Sequence, residues 1–89
     1  MAFSAQLTVP TAGTAVNFAD QLIVGPATIK ALPANTGVMY IGGPSVTSAN
    51  GYPLSAGQTL TMDHLGNMTE LWVNATVNGE GVAFLAIGL

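Results

Sequence analysis

The residue types that could carry out chemistry are few in this chain, and only one group of them lies close together. Asp63 and His64 are adjacent, and Glu70 follows in the same stretch. A carboxylate beside an imidazole can bind a metal ion or act as a general acid and base. Adjacent side chains on a strand point to opposite faces, so Asp63 and His64 do not converge if this stretch is extended. The alternative interpretation is a solvated turn in which Asp63 bonds to local amides.

The other candidates for chemistry lack necessary partners. The chain has one histidine and no cysteine, whereas a structural zinc site needs four ligands, so only copies of His64 around a three-fold axis could build one. The serines have no nucleophile-elbow setting and share a single possible base. Gly79-Glu80-Gly81 lacks the third glycine and the following helix of a dinucleotide loop. We therefore predict no enzyme, no catalytic residue, no metal site and no cofactor.

The charge content excludes several partners. Charged residues make up 6% of the 89 residues, and the net charge is −3, whereas an average chain carries about 25% charged residues. Lys30 is the only lysine or arginine, so the chain has no basic patch for nucleic acid or for acidic membranes. The apolar stretch at residues 82–89 is far shorter than the ~20 residues of a membrane helix. We expect neither nucleic acid nor membrane as a partner.

The low charge also predicts association with other proteins. A folded chain of this mass exposes about 4,900 Å², which leaves roughly one charge per 1,000 Å². A standard interface takes about 800 Å² from each partner, so charge-free patches of interface size are expected. The alternative is a monomer that threonine, asparagine and serine keep soluble. A hydrophobic content of 49% excludes a disordered chain.

Hydrophobic alternation and turn residues predict an all-β fold. The stretch from Phe3 to Val9 alternates apolar and polar residues, and 11 glycines and 5 prolines punctuate the chain. We predict a single domain over residues 1–89, a small β-sandwich or barrel of about seven or eight short antiparallel strands. Residues 1–9 form an N-terminal strand or an arm that pairs with a neighbouring chain. Gly25-Pro26 interrupts a strand and predicts a bulge or a sheet edge.

The last two strands have distinct patterns. Leu71, Val73, Ala75 and Val77 share one face of the first of them. Asn78-Gly79 follows and predicts a hairpin to the second, because both turn residues tolerate a positive φ. Residues 82–87, which include Phe84, are apolar on both faces. Such a strand would aggregate at an edge, so we expect it in the middle of a sheet, with its second face covered by another sheet or another subunit.

The longest stretch with little strand character covers residues 43–58. Long loops in small domains are uncommon and are usually functional. Tyr52, Pro53 and Leu54 provide an aromatic and an aliphatic anchor in its middle. One interpretation is a protruding arm that contacts a neighbouring chain through these three residues. The other is a self-packed Ω-loop in which Leu54 closes one end of the sandwich.

The motifs around this loop resemble a pattern of small virion proteins of tailed bacteriophages. The matching segments, which span about residues 35–77, are Val38-Met39-Tyr40-Ile41-Gly42-Gly43, Val46-Thr47, Asn50-Gly51-Tyr52-Pro53-Leu54, Gly57-Gln58 and Leu71-Trp72-Val73. These are turn and packing motifs rather than chemical ones. The resemblance implies an all-β capsid decoration, cement or head-fibre subunit, often trimeric, without enzymatic activity.

The expected function is therefore structural. The chain is expected to form a homo-oligomer, a trimer, that contacts the major capsid protein or another virion protein at the capsid surface after assembly in the host cytoplasm. The expected interface residues are Tyr52, Pro53, Leu54, Trp72 and Phe84. The alternative is a carbohydrate- or receptor-binding module of a phage fibre or tail, in which exposed aromatic side chains stack on sugars.

Overall fold

The computed structural model describes residues 1–63 and 66–88, and these residues form an all-β domain. The predicted fold class and strand number are confirmed by eight strands: β1 Ala2–Thr8, β2 Val16–Asn17, β3 Ile23–Ala31, β4 Met39–Gly42, β5 Tyr52–Leu54, β6 Thr59–Met62, β7 Trp72–Ala75 and β8 Gly81–Gly88. The one helical element of the described residues is a single 3₁₀ turn, Met68–Glu70.

The strands form two four-stranded antiparallel sheets. Sheet 1 has the order β1-β8-β3-β6, and sheet 2 has the order β2-β7-β4-β5. The chain changes sheet after every strand except between β4 and β5, which both belong to sheet 2, and its first and last strands are neighbours. This is the strand order of an eight-stranded jelly roll, a sandwich built from two Greek keys. Residues 1–9 accordingly contain a strand that pairs with β8 of the same chain.

The core lies between the two sheets and follows from period-2 alternation. In β8, Val82 and Ala86 are buried, whereas Leu85 and Ile87 on the other face are exposed. In β7, the face that carries Val73 and Ala75 is the one that points inward. Phe18 packs edge-on against Phe84 across the core with ring centroids 5.8 Å apart, a favourable arrangement for two aromatic rings.

The interrupted strand is a bulged strand in the middle of sheet 1. Ile23 pairs with Gly88 and Ala27 pairs with Ala86, so the register of β3 shifts between them. The bulge predicted from Gly25-Pro26 is confirmed. β3 lies between β8 and β6 and is not at an edge, and the bulge is what allows a proline in a central strand.

The predicted hairpin at Asn78-Gly79 is wrong. Gly79 has the positive φ of 80° that the turn needs, but β7 belongs to sheet 2 and β8 to sheet 1. The Gly79 nitrogen donates to the Val9 carbonyl and the Val9 nitrogen donates to the Glu80 carbonyl, both at 2.8 Å. The turn therefore continues the β1–β8 ladder. An Asn-Gly pair fixes a local reversal of the chain, while the buried faces of the two strands decide their partners.

Glu80 connects this turn to the turn before β4. Its carboxylate accepts hydrogen bonds from the Thr36 backbone N–H, from the Thr36 hydroxyl at 2.8 Å and from the Gly37 N–H at 2.8 Å. The Thr36 backbone hydrogen bond is the main reason why the pKa of Glu80 lies below its ordinary value of 4.5, against a smaller opposing effect of desolvation. One of the four acidic residues thus has a structural role.

Glu80 should make the stability of the fold depend on pH. Because its pKa is lower in the folded state, its contribution is complete above the unfolded pKa and is lost as the pH falls through the folded pKa. We expect Glu80→Gln to unfold at a lower temperature than wild type at pH 7, with the difference shrinking towards pH 3. Thermal unfolding followed by circular dichroism across this range measures it. Glu70→Gln, which removes an exposed carboxylate, is the charge-matched control, and a pH-independent difference between Glu80→Gln and wild type would contradict the assignment.

Candidate functional site

The outward face of sheet 1 carries an apolar surface that residues 1–63 and 66–88 leave exposed. It is formed by Ala83, Leu85 and Ile87 of β8, with β1 on one side and β3 on the other. Leu85 is 55% exposed and Ile87 is 41% exposed. A shallow groove of ≈ 360 Å³ beside Leu85 is bordered by Thr28 and Lys30. We call this surface the outer face of sheet 1.

Charge is nearly absent from the strands. Lys30 in β3 is the only charged residue of the eight strands, and all four acidic residues lie in the connections. Neighbouring positions on the outer face of sheet 1 hold uncharged hydroxyl groups, such as the Thr28 and Thr61 side chains, which share a hydrogen bond of 3.0 Å. Docking a protein on this face therefore desolvates one ammonium group, the Gln6 amide and otherwise apolar and hydroxyl groups, which keeps the penalty of burial small.

The outward face of sheet 2 is covered by the chain itself. Residues 43–51 fold back over it and insert Val46, which is 3% exposed. Val46 fits because two facing positions lack a side chain: a Cβ on Gly42 or on Gly51 would lie 2.8 Å from a Val46 methyl carbon. The self-packed interpretation of the loop agrees with the structure: Leu54 is buried in the core, and Val46 packs on the outward face of sheet 2.

Asn74 holds this covering loop in place. It lies on the outward side of β7 and is 3% exposed. Its Oδ1 accepts from the Gly13 N–H at 3.0 Å, and its Nδ2 donates to the Val46 carbonyl at 3.0 Å. One buried amide thus joins the β1–β2 turn, β7 and the loop before β5.

A recess of ≈ 390 Å³ lies beside Asn74. It contains one aromatic side chain, Tyr40, and several hydroxyl and amide groups. Its lining includes Ala12, Gly13, Tyr40, Thr47, Ser48, Asn74, Ala75 and Thr76. A ring next to hydroxyl and amide groups is an arrangement that can hold a small polar ligand such as a sugar.

The structure separates the five residues that the sequence predicted as an interface. Tyr52 is 55% exposed, and Pro53 is exposed beside it on the edge strand β5. Leu54 is 2% exposed and belongs to the core of the subunit, because it pairs with the inward-facing Met39. Leu54 is therefore unsuitable as a contact with another chain.

The two remaining predicted residues are half-buried and lie on different sheets. Trp72 begins β7 in sheet 2. Phe84 is in β8 and packs against the core from the inward side of sheet 1. The five residues do not form one continuous surface.

The candidate metal or acid–base group gains no support. Asp63 is exposed after β6, and Glu70 is exposed at the end of the 3₁₀ turn, while His64 lies outside the described residues. Among residues 1–63 and 66–88 there is no group of three or more histidine, cysteine, aspartate or glutamate residues that could hold a metal ion. Within the same part of the chain, no helix is long and apolar enough to span a membrane.

Sequence reasoning missed Leu85, Ile87 and Asn74 as individual residues. The two-sided apolar pattern of the last strand contained the signal for Leu85 and Ile87, since a second face had to be covered. No pattern in the sequence marks Asn74, because its importance depends on Gly13 and Val46, which are remote in the chain.

A scan against protein-family models finds no match, and a search of curated proteins finds no similar sequence.

Proposed function

We propose that this protein is a structural virion protein, a capsid decoration or cement subunit of a tailed bacteriophage. It acts as a homo-oligomer, which the resemblance implies to be a trimer, and it binds the major capsid protein or another virion protein at the capsid surface. The observation that carries the proposal is the outer face of sheet 1, where exposed Leu85 and Ile87 lie among strands whose only charged residue is Lys30.

Two further observations support this function. The motifs from Val38 to Val73 resemble those of small phage virion proteins, and the jelly roll is a fold that viral capsid proteins use. The surface supports this function more strongly than the fold does, because lectins also use the jelly roll.

The mechanism is association without a chemical step. An exposed apolar face with few charges gains free energy when a partner covers it, at about 25 cal/mol per Å² of apolar area. Contacts repeated around an oligomer add avidity, because each further contact forms at a high effective concentration. A subunit that binds two neighbouring capsomers therefore raises the force needed to separate them.

Purified particles provide the direct test. Virions from cultures that produce this chain are banded by density and analysed by mass spectrometry and by cryo-electron microscopy. We expect the chain in the banded particles and jelly-roll density on the outside of the capsid. Its absence from particles while it is abundant in the lysate would overturn the proposal.

The recess beside Asn74 favours a second function, binding of a carbohydrate or a receptor by a phage fibre or tail. Tyr40 would stack on a sugar ring, and the hydroxyl groups of Thr47, Ser48 and Thr76 would bond to sugar hydroxyls.

A glycan array separates the two functions. For a binding module, the wild type gives selective signals that Tyr40→Ala reduces at least tenfold, because the stacking surface is lost. Tyr52→Ala and Trp72→Ala, which remove aromatic side chains outside the recess, are the matched controls. A wild type with no glycan signal would contradict the second function and leaves the first one intact.

A further inference from the structure

β1 is the longest strand at a sheet edge, and its sequence does not block pairing with another strand. The sheets end at β1, β6, β2 and β5. β6 has four residues, β2 has two, and β5 has three with Pro53 in its middle. β1 runs for seven residues, Ala2–Thr8, without a charge or a proline. Short length, charges and prolines are the usual protections of an edge, and β1 has none of them.

The hydrogen bonds of β1 show which of its backbone groups face the open edge. The Gly88 nitrogen donates to the Met1 carbonyl at one end of the β1–β8 ladder, and the Val9 nitrogen donates to the Glu80 carbonyl at the other. Bonded and non-bonded pairs alternate along an antiparallel ladder, so the odd-numbered residues of β1 bond to β8. The N–H and C=O groups that point to the open edge belong to Ala2, Ser4, Gln6 and Thr8.

We propose that β1 pairs with β1 of a second copy of this chain, antiparallel and about a two-fold axis at Ala5. In this register Ala2 faces Thr8 of the partner subunit, and Ser4 faces Gln6 of the partner subunit. All four outward-pointing residues then bond to their counterparts, and no other antiparallel register uses all seven residues. The pairing rests on the homo-oligomer part of the proposed function, and it replaces the trimer that the resemblance implies by a two-fold dimer.

The side chains of β1 suit this partner. Phe3 and Leu7 point towards the core but are only half-buried at the edge, and Ala5 between them is exposed. In the proposed register Phe3 meets the partner's Leu7, and the two alanines meet at the axis, so both cores extend across the junction. The strand has no charge that would oppose its own copy.

The pairing places the outer faces of sheet 1 of both copies, which we propose bind the virion, on one side of the dimer. Joining two copies through β1 makes one continuous sheet of eight strands, and even-numbered residues pair with even-numbered residues. The outer faces of sheet 1 of both copies, each with Leu85 and Ile87, therefore lie on the same side. The dimer presents two equivalent apolar surfaces in one layer, which suits bivalent attachment.

Single cysteines test the register directly, because the natural chain has no cysteine. At the axis, the non-bonded pair has Cα atoms about 4.5 Å apart, within the range that a disulfide spans. We expect Ala5→Cys to form a disulfide dimer under mild oxidation. Ala2→Cys, the matched control, lies about 20 Å from its counterpart across six residues of strand and remains monomeric on a non-reducing gel. Equal cross-linking of the two variants, or none in Ala5→Cys, would overturn the register.

A charge exchange tests the pairing without a covalent bond. Ser4→Lys with Gln6→Lys places lysine opposite lysine twice, and we expect a dimer dissociation constant roughly tenfold or more above wild type. Ser4→Lys with Gln6→Glu places opposite charges across the same pairs and is expected to dimerise at least as well as wild type. Light scattering over a dilution series measures both, and thermal unfolding controls for folding. Weaker association of both variants, or a wild type that is a monomer or a trimer, would contradict the two-fold pairing.

These outcomes are separable from those of the proposed function. A trimer that is found in banded virions would refute β1 pairing and support the virion function. A β1-paired dimer that is absent from virions would support β1 pairing and refute the virion function.

Discussion

Replacing Leu85 by glutamate is expected to abolish binding to the virion while leaving the subunit folded. Leu85 is 55% exposed at the centre of the outer face of sheet 1, so the stability of the isolated subunit should change by no more than about 0.5 kcal/mol. In the bound state the new carboxylate would have to be desolvated even with Lys30 diagonal to it on the same face, and a lost central contact typically costs about 2 kcal/mol or more. We expect binding to purified particles to weaken about 30-fold or more.

The control for this variant is Val77→Glu. Val77 is an exposed apolar residue too, at 38% exposure, but it lies in the β7–β8 connection and outside the outer face of sheet 1. It receives the same charge and should bind like wild type in a co-sedimentation titration. Equal binding of Leu85→Glu and wild type would exclude this face as the attachment surface. Equal loss in both variants would show that net charge, and not the face, controls binding.

The sequence predicted those strands whose pattern is local. The alternation from Phe3 to Val9 predicted β1, which the structure has at Ala2–Thr8, and Gly25-Pro26 predicted the bulge in β3. The hairpin predicted at Asn78-Gly79 failed because remote segments decide the partners of the turn. The Val9 backbone bonds to Gly79 and Glu80, and the Thr36 N–H donates to the Glu80 carboxylate. Local patterns predict where a chain turns, and long-range packing decides which sheet it joins.

The sequence predicted that the candidate site is an association surface, but not which residues form it. Low charge and an apolar last strand indicated an association surface, and the structure places exposed Leu85 and Ile87 on a single face. The sequence does not distinguish the environments of Leu54 and Val46, because both are aliphatic residues in a glycine-rich stretch. Which of them is buried beneath the strands and which lies above them depends on Gly42 and Gly51, where a Cβ would collide with Val46. The room for Val46 beside these glycines depends on the packed structure, and a pattern of hydrophobicity does not show it.

Replacing Asn74 by alanine is expected to give the largest loss of stability among these variants. The substitution leaves the buried Ala75 N–H without its side-chain acceptor and the Val46 carbonyl without its side-chain donor, in a region where Asn74 itself is 3% exposed. The Gly13 N–H loses its bond to Asn74 but keeps one to the Ala75 carbonyl at 3.3 Å. An unsatisfied buried polar group costs about 1–3 kcal/mol, so we expect a loss of about 3 kcal/mol. For a domain of this size that corresponds to a fall in Tm of roughly 12–24 °C.

Two companion variants distinguish the loss of the Asn74 hydrogen bonds from the loss of any asparagine side chain on sheet 2. Asn17→Ala removes an exposed asparagine from β2 on the same sheet, and it should change stability by less than about 0.5 kcal/mol. Asn74→Asp keeps the acceptor for Gly13 but turns a carboxylate oxygen towards the Val46 carbonyl, so it should destabilise the fold at neutral pH and recover part of the loss when acid protonates it. Equal Tm values for Asn74→Ala and Asn17→Ala would show that the loop over sheet 2 is held by the packing of Val46 alone.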